Sequence, residues 1–277
     1  MVLRCPDRVG IIHAVSGFLA DRRVNILESQ QYVDPVGRQF FMRLQVDLPD
    51  AVRPEGLRRE IEPLARGFEM SVGVHDAQAR PAILILVSRL GHCLNDLLYR
   101  HQSGSLPAEI AAVVSNHPDF EGLTRSYGVE FRHLPVHRDT KDAQEGKLRA
   151  MVEELGIDLV ILARYMQILS PPTVELLGGR AINIHHSFLP SFKGARPYHQ
   201  AYERGVKLIG ATAHYVTSQL DEGPIIEQEV ARVDHSQSPD ELAAVGRDLE
   251  CVALARAVSW HLQHRVVING GRTVVFR

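Results

Sequence analysis

The apolar positions near the start of the chain switch between two periods. Ile11, Val15, Phe18 and Leu19 share one face of a helix expected over 7–22, with Asp7 placed to cap it. Residues 25–33 and 39–46 read as strands, and Pro35 and Gly37 punctuate the turn between them. A second helix is expected over 54–65 and a last strand over 69–74. The first strand, 1–5, is clipped against the usual length of about 5–6 residues, which points to an upstream start with a few more strand residues. The order β-α-β-β-α-β is the ferredoxin-like split sandwich.

From residue 82 the pattern changes. The run Ala82-Ile-Leu-Ile-Leu-Val87 is apolar throughout, as a strand covered on both faces must be. Strands over 82–87, 109–115, 130–134, 159–162 and 181–185 alternate with helices ending near 100, 127 and 155, the arrangement of a parallel sheet with crossover helices. Strands at 206–215 and 225–233 follow. Ser238-Pro-Asp-Glu241 is a capping box at the head of a long helix running to about 264, and a hairpin turns at Asn269-Gly270. The expected fold class is α/β, with a ferredoxin-like domain over 1–77 and a Rossmann-like, mostly parallel sheet over 82–277.

Composition narrows the function classes. The net charge of −2 over 277 residues does not indicate a strongly basic surface for nucleic acid, although a neutral total leaves room for a local patch. Cys5, Cys93 and Cys251 have no paired spacing, which suits a reducing cytoplasm and neither a disulfide framework nor structural zinc. No apolar run approaches the roughly 18 residues of a membrane span, and the N-terminus has no signal-peptide pattern.

The chemistry starts where one strand stops being apolar. In Ala181-Ile-Asn-Ile-His185, Asn183 and His185 interrupt the run and point to the same face. The carboxyl end of a strand is where open parallel sheets bind ligands. An amide and an imidazole there can stabilise an oxyanion, and Asp221, in a turn before Gly223-Pro224, can orient or deprotonate a nucleophile. No G-x-S-x-G elbow is present, so water or a substrate amine is the expected nucleophile. From the residues alone, a hydrogen-bonded corner without a catalytic role explains Asn183 and His185 as well. His133 and His137 have helical metal spacing, but Pro135 between them argues against a helix, and no metal or cofactor is expected.

The motif Asn183-Ile-His-His-Ser-Phe-Leu-Pro-Ser-Phe-Lys-Gly194, followed by Asp221-Glu-Gly-Pro-Ile-Ile, resembles the formyltransferase family that uses 10-formyltetrahydrofolate, over about residues 82–277. The resemblance implies catalytic roles for Asn183, His185 and Asp221. It implies a pterin pocket lined by Met166, Gln167, Ile168 and Leu169, by Gly194, and by the backbone at Gln219 and Leu220. Family members carry an arginine where this chain has Gln167, which leaves Arg164, Lys193 and Arg196 as residues for the glutamate tail, each of which reads equally well as a solvated surface charge. His214 and His92 are candidates for supporting the site from behind.

The N-terminal segment resembles an ACT domain, and that pairing resembles the formyltetrahydrofolate deformylases, which release formate for purine synthesis and balance one-carbon pools. Nucleotide-acting relatives have a glycine-rich phosphate loop after the first strand, where this chain has the bulkier Gly91-His-Cys-Leu94, a run also similar to the deformylases. Water is then the implied acceptor. Formyl transfer to a small amine is the alternative. Asp7, Gly10 and Asn25 fall where ACT domains bind amino-acid effectors, such as glycine or methionine, between copies, so a homo-oligomer, dimer or tetramer, is implied. The domain could equally serve oligomerisation alone.

Overall fold

The computed structural model describes residues 1–50, 52–137, 139–189 and 197–277. The chain forms two compact units: Met1–Ala79 with His264–Val267 and Val274–Arg277, and Arg80–Gln263 with Ile268–Thr273.

In the first unit, β1 (Val2–Pro6), α1 (Ile11–Ala20), β2 (Asn25–Asp34), β3 (Gln39–Asp47), α2 (Pro54–Glu60), α3 (Glu62–Gly67) and β4 (Ser71–Gly73) follow in order. The four strands are antiparallel in the order β2-β3-β1-β4. One core holds Leu3, Cys5, Ile11, Val15, Leu19, Leu44, Leu57 and Ile61. Three local expectations are corrected. Asp7 does not cap α1: its amide bonds Arg38 O at 2.8 Å, and the chain turns in through Gly10 at φ 95°, so the helix begins at Ile11. The helix expected over 54–65 is two helices, because Pro63 cannot continue the hydrogen-bond ladder through Ile61. The last strand begins only at Ser71, since Glu69 adopts the left-handed region at φ 55°.

In the second unit, β5 (Ala82–Val87), α4 (His92–Gln102), β6 (Glu109–Ser115), α5 (Glu121–Ser126), β7 (Phe131–His133), α6 (Lys141–Glu154), β8 (Leu159–Leu162), α7 (Pro171–Leu177) and β9 (Ala181–His185) alternate. They are followed by α8 (Pro197–Glu203), β10 (Leu208–Tyr215), β11 (Ile225–Arg232), α9 (Pro239–Leu262), and the hairpin β12 (Val266–Asn269) and β13 (Arg272–Val275), whose residues 266–267 and 274–275 belong to the first unit. The seven-stranded sheet has the order β11-β10-β9-β8-β5-β6-β7. Pairs from β9 through β7 are parallel, and β10 and β11 join antiparallel. β5 and β8 are apolar and buried along nearly their whole length, as the central strands of a doubly covered sheet must be.

Strand order reverses between β5 and β8, opening a crevice beyond their carboxyl ends. Ser88 ties the two ends together: its amide bonds Arg164 O at 3.2 Å, and its hydroxyl accepts from the Met166 amide at 2.9 Å. Helix α9 opens with the expected capping box, Ser238 and Glu241 bonding reciprocally. Its buried face presents Leu242, Gly246, Glu250, Leu254 and Ala257. A carboxylate therefore sits in the middle of an apolar stripe.

Candidate active site

β9 and β10 pair so that Asn183 lies opposite His214 and His185 opposite Thr212. The segment after β10 then folds back on the strand it has just left. Tyr215 N bonds Pro224 O at 3.0 Å, and a Cβ on Gly223 would fall 1.7 Å from Tyr215 O. Only glycine permits that approach. The return brings Asp221, in the left-handed region at φ 58°, to the strand ends. Aspartate tolerates that conformation better than most residues.

The three side chains singled out in the sequence converge here. His185 Nδ1 lies 3.3 Å from Asp221 Oδ1, and His214 Nε2 lies 3.8 Å from the same oxygen. Asn183 Nδ2 is 3.2 Å from His214 Nε2. His214 is 3% exposed, and its Nδ1 is 2.9 Å from the Tyr215 carbonyl oxygen. A carbonyl can only accept, so Nδ1 carries the proton and Nε2 accepts from the Asn183 amide. Burial pushes the His214 imidazole down, which favours that neutral form. The hydrogen bond from His185 holds the Asp221 carboxyl below its ordinary 3.8 against the opposing pull of burial. His185 Nε2 is buried without a hydrogen-bond partner among the described residues. Most buried polar atoms in folded proteins are paired, so this ring nitrogen, beside an amide and a carboxylate, is an exception that calls for an explanation.

Met166 and Ile168 are each 60% exposed, Gln167 is half-buried, and Leu220 is 61% exposed. Leu169 instead packs into the core with Leu162 and Leu177. Gln219 O accepts from Thr217 Oγ1 at 3.0 Å, shaping the turn. Gly194, Lys193 and Arg196 lie outside the described residues. Asp7, Gly10 and Asn25 are exposed in the first unit, apart from its cavity of about 560 Å³ lined by Arg58, Ile61, Met70 and Val72.

Several ionisable side chains differ from their sequence reading. Arg164 is no solvated surface charge. It is 9% exposed, with Nε 3.4 Å from Glu250 Oε2 and Nη1 2.6 Å from His186 Nδ1. Adjacent residues within a strand face opposite ways, but His185 and His186 stack with centroids 4.9 Å apart because the strand ends between them. His261 on α9 meets the Tyr215 hydroxyl at 2.7 Å and is pushed down to about 4 by burial. His92 does not touch Asn183, His185 or Asp221; its Nε2 is 2.7 Å from Glu250 Oε2. His92, Cys93 and Glu250 bring donor atoms within 4.8 Å of one another. Glu250 is also matched by His92, Arg164 and Tyr198, so the group forms part of an ion network.

Comparison with known proteins agrees with this architecture. Residues 82–258 match the Formyl transferase family and residues 1–65 the ACT domain family. The class is thus an ACT domain joined to a formyltransferase domain. A formyltetrahydrofolate deformylase from Corynebacterium sp. (strain P-1) is 49% identical over 100% of this chain and 97% of that protein. The crystal structure of one from Burkholderia mallei ATCC 23344 superimposes with a TM-score of 0.95 at 54% identity, covering 100% of this chain and 98% of the other. A glycinamide ribonucleotide transformylase from Symbiobacterium toebii is more distant, at 31% identity and TM-score 0.67 over 75% of this chain and 98% of its own. The chain belongs to the formyltetrahydrofolate deformylase family.

Proposed function

We propose that the protein hydrolyses 10-formyltetrahydrofolate to formate and tetrahydrofolate at the carboxyl end of β9. The observation that carries the reading is the contact of His185 Nδ1 with Asp221 Oδ1 at 3.3 Å beside Asn183, leaving His185 Nε2 buried and unmatched. Water attacks the formyl carbon while Asp221 takes one of its protons. The carbonyl electron pair moves onto oxygen, which accepts from the Asn183 amide and from protonated His185. The intermediate then re-forms its C=O bond and breaks the bond from carbon to N10. N10 leaves with a proton delivered through the same network, and the formic acid produced loses its proton to solvent. The pterin lies against the exposed 166–168 segment and the 217–220 turn.

The same reading extends to regulation. An amino acid such as glycine or methionine binds the ACT domain near Asp7, Gly10 and Asn25 in a homo-oligomer, dimer or tetramer, and the formate feeds purine synthesis and one-carbon balance. Heat on titration with each amino acid tests the effector; no heat and no change in activity removes it. Likeness to the transformylase favours a second reading, transfer of the formyl group to a small amine. Incubation with 10-formyltetrahydrofolate in amine-free buffer separates the two. Formate release at full rate is expected, and release only after an amine is added overturns hydrolysis. Asp221→Asn, confirmed folded, is expected to lose roughly 10²–10⁴ in kcat, the usual range for a general base.

A further inference from the structure

Behind the Asn183, His185 and Asp221 group lies a second buried ionic assembly that the proposed reaction does not use. Glu250 is 1% exposed. Its Oε2 lies 2.7 Å from His92 Nε2, at the first residue of α4, and 3.4 Å from Arg164 Nε, just beyond β8. Its Oε1 accepts from the Tyr198 hydroxyl at 2.9 Å. Burial alone would raise this carboxyl, but His92, Arg164 and Tyr198 outweigh it and hold it below its ordinary 4.5.

Such a network is a poor device for stability, since desolvation of the ions offsets most of their attraction. Yet the backbone is shaped to admit it. Arg164 is held in the left-handed region at φ 63°. One helical turn before Glu250, a Cβ on Gly246 would fall 2.1 Å from the Tyr198 ring and hydroxyl, so glycine there lets the phenol reach the carboxylate.

The network leads toward His185. Arg164 Nη1 lies 2.6 Å from His186 Nδ1, and a guanidinium can only donate, so His186 accepts there as a neutral ring. Burial and Arg164 together push His186 down to about 4. The His186 ring stacks on His185 at 4.9 Å and 20°. Among the described residues, the groups facing the stacked pair are Asp221 and His214 from the β10 side, Arg164 from just beyond β8, and His92 and Glu250 from α4 and α9 behind Arg164.

We propose that Glu250 is a positioning residue for the hydrolytic step: it neutralises Arg164, which can then hold His186 against His185 without setting an unbalanced positive charge beside the ring that receives the oxyanion. The inference rests on the reading of protonated His185 as the oxyanion donor. Without the carboxylate, the Arg164 charge stands one ring away from His185 and opposes a second positive charge there. The protonated, active form of the site is then lost at a lower pH.

The test is kcat and KM for formate release across pH in the full-length protein. Glu250→Gln is expected to move the alkaline limb of kcat down by about one pH unit, with KM changed by less than about threefold. Arg164→Gln added to Glu250→Gln removes the unbalanced charge, and the limb is expected to return to its wild-type position while kcat stays low. A limb that does not move in Glu250→Gln assigns Glu250 to packing alone and overturns the proposal. If Glu250→Gln does not fold, Glu250→Asp decides: the charge is kept but withdrawn by one methylene. A kcat lowered about tenfold with the limb in place supports positioning, and an unchanged kcat removes it. Failure of the wild-type protein to release formate would instead sink the hydrolytic reading itself, so the two failures are distinct.

Discussion

His214 decides which way Asn183 faces. Its Nδ1 proton is committed to the Tyr215 carbonyl at 2.9 Å, so its Nε2 accepts one amide hydrogen of Asn183 and leaves the other for substrate. Truncating His214 frees the amide to rotate, and His214→Ala is expected to lower kcat by about 10–100-fold, as loss of an orienting partner typically does. Circular dichroism must first show an unchanged fold. Gly223 fixes the other half of the geometry: a Cβ there would collide with Tyr215 O at 1.7 Å, so Gly223→Ala must shift the turn that carries Asp221. A displacement near 1 Å costs on the order of 10²-fold in rate, measurable in the same formate assay. The Asp221 carboxyl carries a third prediction. The hydrogen bond from His185 depresses it, so the carboxylate persists below 3.8, and the stability this pair contributes is present above that pH and lost as pH falls through the depressed value. The carboxyl carbon should titrate below 3.8 by NMR in the native protein. His185→Gln should move its midpoint upward, and an unchanged midpoint would contradict the pairing.

Between elements, Glu145 of α6 serves as the cap that α7 lacks on its own chain. No side chain caps the α7 N-terminus locally, but Glu145 accepts from the Ser170 amide at 2.9 Å, from the Ser170 hydroxyl and from Thr173 Oγ1 at 2.6 Å. Burial would raise the Glu145 carboxyl, but these donors hold it below 4.5. Its stabilising effect is accordingly present above pH 4.5 and fades as pH falls through the lowered value. Glu145→Leu strands buried donors and should cost about 2–4 kcal/mol in denaturant unfolding, with the loss shrinking in acid. No local pattern discloses this cap, because its acceptor and donors belong to different helices. Strands were legible where burial on both faces forces a mostly apolar run: 82–87, 109–115 and 159–162 occur as expected, and so does 181–185 although Asn183 and His185 interrupt it. Helix starts were less so, since Asp7 looks like a cap but spends its amide on Arg38. Asn183, His185 and Asp221 were readable as a group because motif spacing survives in one dimension. Glu250, Arg164 and His261 were not, because a buried charge is defined by partners from distant segments, and composition cannot tell it from a solvated one.

At the scale of the whole chain, the two units hold separate cores, and the polypeptide leaves the first unit after Ala79 and supplies it again with His264–Val267 and Val274–Arg277. Within that first unit, the returning segments make specific contacts. Arg265 Nη2 lies 3.6 Å from Glu28 Oε2 and its Nη1 donates to Phe276 O at 3.2 Å; His264 stacks on His75 at 3.6 Å. Glu28 also pairs with Arg43 at 2.9 Å, so the carboxylate on β2 joins β3 to the C-terminal segment. A chain with two cores is not expected to unfold as one cooperative unit. Denaturant titration followed by circular dichroism should give two transitions, and loss of formate release should coincide with only one of them. Arg265→Ala removes a partly buried ion pair and a hydrogen bond, together worth about 1–2 kcal/mol. That loss should fall on the transition that does not track activity, with kcat per folded molecule retained, because the Glu28 pair and the Phe276 bond both lie in the unit without Asn183, His185 and Asp221. A variant in which the activity-linked transition moved by the same amount would show that the two cores unfold together.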